Sequence, residues 1–136
     1  MGIVFSTSES IENALKEDDK IAALRAIGKP PMIAVLKAIY DEKIEWLLPD
    51  CAPPWKKNGL KQISGALAQN TRKIRMFIKG AGYDNIKQSK REMLFIEFLE
   101  SIDDNDAELM IHALTDRQLP GLTKEMVEEA FPGIFS

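Results

Sequence analysis

Apolar residues recur at intervals of three and four along most of this chain, yet nowhere does the pattern run far before proline or glycine interrupts it. Seven prolines and eight glycines are distributed through 136 residues. A period near 3.6 specifies helices with one apolar face. Each proline removes a helical donor, and each glycine admits backbone conformations that end a helix. Segments this short cannot each enclose a core, so they must share one. With no alternating strand pattern and no internal repeat, the expected class is all-α, a compact single domain of about six or seven short helices over residues 1–136.

The boundaries follow from local chemistry. Ser6 and Glu9 form a capping box ahead of Ile11 and Leu15. The same stretch, "MGIVFS", also fits an N-myristoylation pattern with Gly2 and Ser6, and the capping box is the preferred reading. Asp18 or Asp19 caps a second helix with Ile21, Leu24 and Ile27 as its stripe and Gly28 as its stop. Pro30 and Pro31 suit the first turn of a third helix, whose apolar face is Met32, Val35, Leu36, Ile39 and Tyr40. These N-terminal helices end near residue 43.

Residues 44–59 contain Pro49, Pro53 and Pro54 between Trp46 and Trp55, so an extended connection pinned by tryptophan packing is expected there. Residues 60–136 then supply the helical core. A long helix is expected from about Leu60 to Lys79, stopping at Gly80 and Gly82, and a central helix from Gln88 to Ser101. Asp103 or Asp104 caps the next, which carries Ala107, Met110, Ile111 and Leu114. Thr123 caps a last short helix, closed by Pro132-Gly133 and docked through Met126, Val127, Ala130 and Phe131 on the "MLFIEFL" helix.

Little in the sequence suggests catalysis. One cysteine, Cys51, and one histidine, His112, are too few for a Cys/His zinc site. Cys51 is expected half-buried, and His112 structural. "DDNDAE" fails as a calcium loop, because starting at Asp104 it places Leu109 where glycine is needed and Thr115 where a bidentate glutamate belongs. Acids at a helix start explain it. "KGAGYDN" lacks the spacing of a phosphate-binding loop. No catalytic residue, metal or cofactor is expected, and no apolar run is long enough to span a membrane.

Charge layout is more informative than net charge. From Trp55 to Arg91 ten Lys/Arg face a single acid, Asp84, so this segment carries +9 and the rest −12 within a net of −3. On an α-helix Lys61, Arg72, Arg75 and Lys79 fall within roughly 60° of one another, a basic ridge opposite an apolar stripe. Two readings stand. Either the ridge balances the acidic remainder internally, or it meets a nucleic acid or an acidic protein. Tyr83 and Trp55 are the aromatic side chains nearby that bases could stack on.

"REMLFIEFLESIDDNDAELM" and "LPGLTKEMVEEAFPGIF", with "WLLPDCAPPW" as a looser third element, resemble a small, functionally uncharacterised protein family of T4-like tailed phages of marine bacteria. The resemblance covers roughly Tyr40 to Phe135. It implies a phage product made in the bacterial host cytoplasm, and brings no catalytic residue or cofactor with it. The expected function is that of a non-enzymatic accessory protein binding a macromolecular partner, in DNA metabolism or host takeover. A structural or assembly component of the virion is the alternative.

Overall fold

The structure, a computed structural model, describes residues 6–57 and 66–135, and within them the chain winds into seven α-helices and one 3-10 helix. These are α1 (Thr7–Leu15), α2 (Lys20–Ala26), α3 (Pro30–Tyr40), α4 (Ala66–Gln69), the 3-10 helix (Thr71–Phe77), α5 (Gln88–Glu100), α6 (Asp104–Leu114) and α7 (Lys124–Ala130). Backbone pairing outside helices is confined, among the described residues, to two isolated bridges, Trp46 with Ile78 and Leu119 with Leu122. The all-α expectation holds.

The caps form largely where local chemistry puts them. Ser6 and Glu9 make the capping box, Asp19 accepts from Ala22 N–H, and Thr123 accepts from Met126 N–H. Pro30 and Pro31 occupy the first turn of α3. The connection after α3 stays non-helical. Leu47 N–H donates to Phe77 O at 2.8 Å and Lys79 N–H to Glu45 O at 2.9 Å, which fastens it to the end of the 3-10 helix. Cys51, expected half-buried, is exposed. Pro49 and Pro54 on either side of it are exposed as well, so that stretch lies on the surface.

The expected long helix from Leu60 to Lys79 does not form as one element. Residues 58–65 lie outside the described residues, and from Ala66 onward a single α turn gives way to seven residues of 3-10 helix. A repeat of three per turn brings Ile74 and Phe77 to the same inward face, where both are buried. Phe77 meets Phe95 edge-on at 5.0 Å and Phe98 at 6.0 Å. Burying a ring of this size contributes roughly 1.5–3 kcal/mol, and three converge here.

Short helices are mostly ends, and every end leaves backbone donors or acceptors without intrahelical partners. Side chains from other elements supply them. Asp106 of α6 is fully buried and accepts from Thr7 N–H at 3.2 Å and Ser8 N–H at 2.7 Å, so an acid expected to serve α6 instead caps α1. Arg117 donates to the carbonyls of Ile39 (3.1 Å), Ala38 (3.4 Å), Asp41 (2.7 Å) and Ile44 (2.9 Å), closing the C-terminus of α3. It does so from a left-handed backbone, φ 55°. The Tyr40 hydroxyl donates to Leu122 O at 2.6 Å and accepts from Leu119 N–H at 2.9 Å, which fixes the turn before α7.

The C-terminal helix docks, but not where the sequence suggested. It packs on α2 rather than on the "MLFIEFL" segment of α5, whose apolar side is occupied by the 3-10 helix and α6. Arg25 of α2 donates to Glu129 O (2.9 Å) and Ala130 O (3.2 Å), satisfying the last carbonyls of α7. Phe131 lies against Gly28 so closely that a Cβ there would sit 2.3 Å from Phe131 Cε1. Gly28 therefore makes a seat for the ring. Ile134 is buried, and Phe135 lies beneath Lys124 Nζ, 5.3 Å from its ring centre.

Two predictions follow from these contacts. Burial pushes the Asp106 carboxyl from the ordinary 3.8 up to about 6, against the pull of its hydrogen bonds from Ser8 and Thr7. A raised pKa gives stability that is complete below about pH 4 and is lost as pH rises through 6. Urea melts should show the stability of the wild type falling relative to Asp106→Asn across that window, by at most about 3 kcal/mol, and then levelling off. Asp106→Ala, which strands two N–H groups, should cost about 2–4 kcal/mol.

The second concerns the Phe131 seat. Gly28→Ala should cost about 1–3 kcal/mol by overpacking, and Phe131→Ala about 2–3 kcal/mol because the ring is only partly buried. With the ring gone the added methyl has room, so the double variant should be less destabilised than the sum by at least about 0.5 kcal/mol.

Candidate functional site

The basic segment is sorted by the fold into cations that hold structure and cations that face water. Arg91 belongs to the first group. It is only 3% exposed, and its guanidinium donates to Met76 O (3.2 Å), Gln88 Oε1 (3.0 Å), Tyr83 O (2.9 Å) and Asp84 O (3.2 Å). Thus it joins the end of the 3-10 helix to the Tyr83 turn and to the start of α5. One of the ten cations counted in the segment, it is an internal tie.

Of the four ridge residues, Lys61 lies outside the described residues. Arg72 and Arg75 are exposed on the 3-10 helix. Three residues apart is a full turn there, so they project along one side, away from Ile74 and Phe77. Lys79 leaves that side, because it follows the helix and pairs with the connection. The bridge between Trp46 and Ile78 sets Lys79 beside Glu45, and their side chains meet at 3.6 Å. Such an exposed pair is worth little in stability, but it partly neutralises Lys79. Lys57 is similarly engaged with Glu108 at 3.7 Å.

Lys56, Arg72, Lys73, Arg75, Lys87 and Lys90 are exposed, and none forms an ion pair among the described residues. The 3-10 helix packs against α5, so Arg72, Lys73 and Arg75 stand on the element adjoining Lys87 and Lys90. Of the two stacking candidates, Trp55 packs partly buried against the core, whereas Tyr83 is exposed.

The remaining candidates are accounted for locally. His112 Nδ1 is 2.8 Å from Asp116 Oδ1 on the last turn of α6, at the edge of a groove of about 260 Å³ that also touches Ser8, Glu12 and Glu108. Glu108 in that groove is the partner of Lys57. Among the described residues no group of three or more His, Cys, Asp or Glu side chains is placed to hold a metal ion, and no helix is long and apolar enough to cross a membrane.

The division of labour among the cations is testable by calorimetry. Arg91→Ala should lower stability by about 3 kcal/mol or more, since it removes a buried charge whose bonds hold three elements together. Arg72→Ala and Arg75→Ala should each stay within about 0.5 kcal/mol of wild type, as exposed substitutions do.

Residues 8–120 of the chain match a family of unknown function, DUF6433. No curated protein and no solved structure matches. The match takes in α1 to α3, which the resemblance to phage proteins reached only in being helical, and ends before α7. The chain belongs to the DUF6433 family.

Proposed function

We propose that this member of the family is a non-enzymatic binding protein whose partner is a polyanion, a nucleic-acid backbone, held by Arg72 and Arg75 with Lys73, Lys87 and Lys90. The observation that carries the reading is the contrast within one segment. Lys57 and Lys79 have carboxylates beside them, while Arg72 and Arg75 share a side of the 3-10 helix with none in reach among the described residues. Internal charge balance would place acids against that side. A row of exposed cations along one side of a helix is suited to a row of phosphates, with little dependence on base sequence.

The likeness of residues 40–135 to proteins of T4-like phages supports setting this activity in an infected bacterial cell, in DNA metabolism or in takeover of the host. The non-enzymatic part of the reading rests on the sequence, which has one histidine, one cysteine and no nucleophile-elbow motif.

Retention of labelled DNA of mixed sequence, measured as salt is raised, tests the proposal. Binding should weaken steeply with salt, and Arg72→Ala with Arg75→Ala should reduce the slope by about two and the low-salt affinity about tenfold or more. Absence of binding at low salt would overturn it. So would binding that ignores salt or these two arginines.

A further inference from the structure

The turn that carries Tyr83 is held more firmly than an exposed loop needs to be. Both carboxylate oxygens of Asp84 accept from Gly80 N–H, at 3.0 and 3.1 Å. The buried Arg91 fixes the carbonyls of Tyr83 and Asp84 from beneath, and Ile86 N–H also donates to Tyr83 O at 3.3 Å. Gly80 and Gly82, at φ 82° and 102°, supply the left-handed residues on which the turn depends. Sequestering a guanidinium from water is costly unless its donors are used. Here they are used to fix backbone on the surface.

What that backbone presents is an aromatic ring. Tyr83 is 43% exposed, and with Met93 at 61% it makes up the exposed large apolar side chains among the described residues. Both are carried by segments that also bear unpaired cations. Lys87 follows Tyr83 by four positions, and on α5 Met93 follows Lys90 by three, on the same outward side. Asp84, the single acid of the segment, is turned onto Gly80 N–H. An exposed ring on a braced turn, with lysines following along the chain, can take the flat face of a nucleobase while ammonium groups take the flanking phosphates. In a duplex those faces are already stacked on one another, and the ring would have nothing to cover.

We infer that the polyanion is single-stranded nucleic acid, with one unpaired base stacked on Tyr83 and its neighbouring phosphates drawn to Lys87, Lys90 and the Arg72–Arg75 side of the 3-10 helix. This rests on the binding reading above and specifies its ligand. Fluorescence anisotropy with a labelled oligothymidylate and a duplex of equal length, at low and at raised salt, tests it on the full chain. The single strand should bind more tightly than the duplex. Tyr83→Ala should weaken strand binding about tenfold, Tyr83→Phe should preserve it, and neither should alter duplex binding or the melting temperature. Wild-type strand affinity in Tyr83→Ala, or a preference for duplex, overturns the stacking role while leaving salt-dependent binding intact. Failure of both nucleic acids to bind at low salt overturns both readings, as does capture of an acidic polypeptide in their place.

Discussion

Satisfaction of backbone groups at helix ends is the constraint on which this fold depends. In a helix of seven residues the terminal N–H and C=O groups outnumber the internal ones, and in one of thirteen they are still about a third of the total. Seven such helices in one small domain present more ends than local caps can serve, and buried ends cannot rely on water. The fold answers with long side chains that reach across. Asp106 serves the start of α1, Arg117 the end of α3, Arg25 the end of α7 and Arg91 the end of the 3-10 helix. In each case a charged group takes the helix end whose partial charge opposes its own.

That use of charge changes how the composition is read. A net of −3 with a basic middle suggests a surface divided by sign. Arg91 is inside, two lysines are beside acids, and a smaller set of cations remains on the 3-10 helix, the adjoining start of α5 and Lys56. The proposed binding surface is what is left when structural work is subtracted. It is therefore smaller than the +9 segment, but better defined.

What could be read from the sequence was what acts over one helical turn. The Ser6–Glu9 box, Asp19, the Pro30-Pro31 start and Thr123 all work on backbone within three residues, so their residue types alone disclose them. Asp106 reaches groups 98 and 99 residues away, and Arg117 groups more than seventy away. In a linear sequence each looks like an ordinary solvated charge. The segment after Leu60 failed for another reason. Apolar spacing of three and four is shared by α and 3-10 geometry over short spans, so the spacing of Ile74 and Phe77 could not tell which would carry Arg72 and Arg75. The seat of Phe131 was hidden likewise, because a glycine that ends a helix and one that accommodates a ring look alike.

The reach of these caps bears on how the protein comes into being. During synthesis α1 and α3 leave the ribosome early, yet groups that complete them belong to Asp106, to Arg117 and to the Leu119–Leu122 turn. Helices this short are marginal alone in water. Ordering should therefore wait until most of the chain has emerged, and then involve both halves together. A nascent chain held at residue 100 would display apolar helix faces without the distant caps or the α6 and α7 side of the core, a natural target for chaperones and proteases.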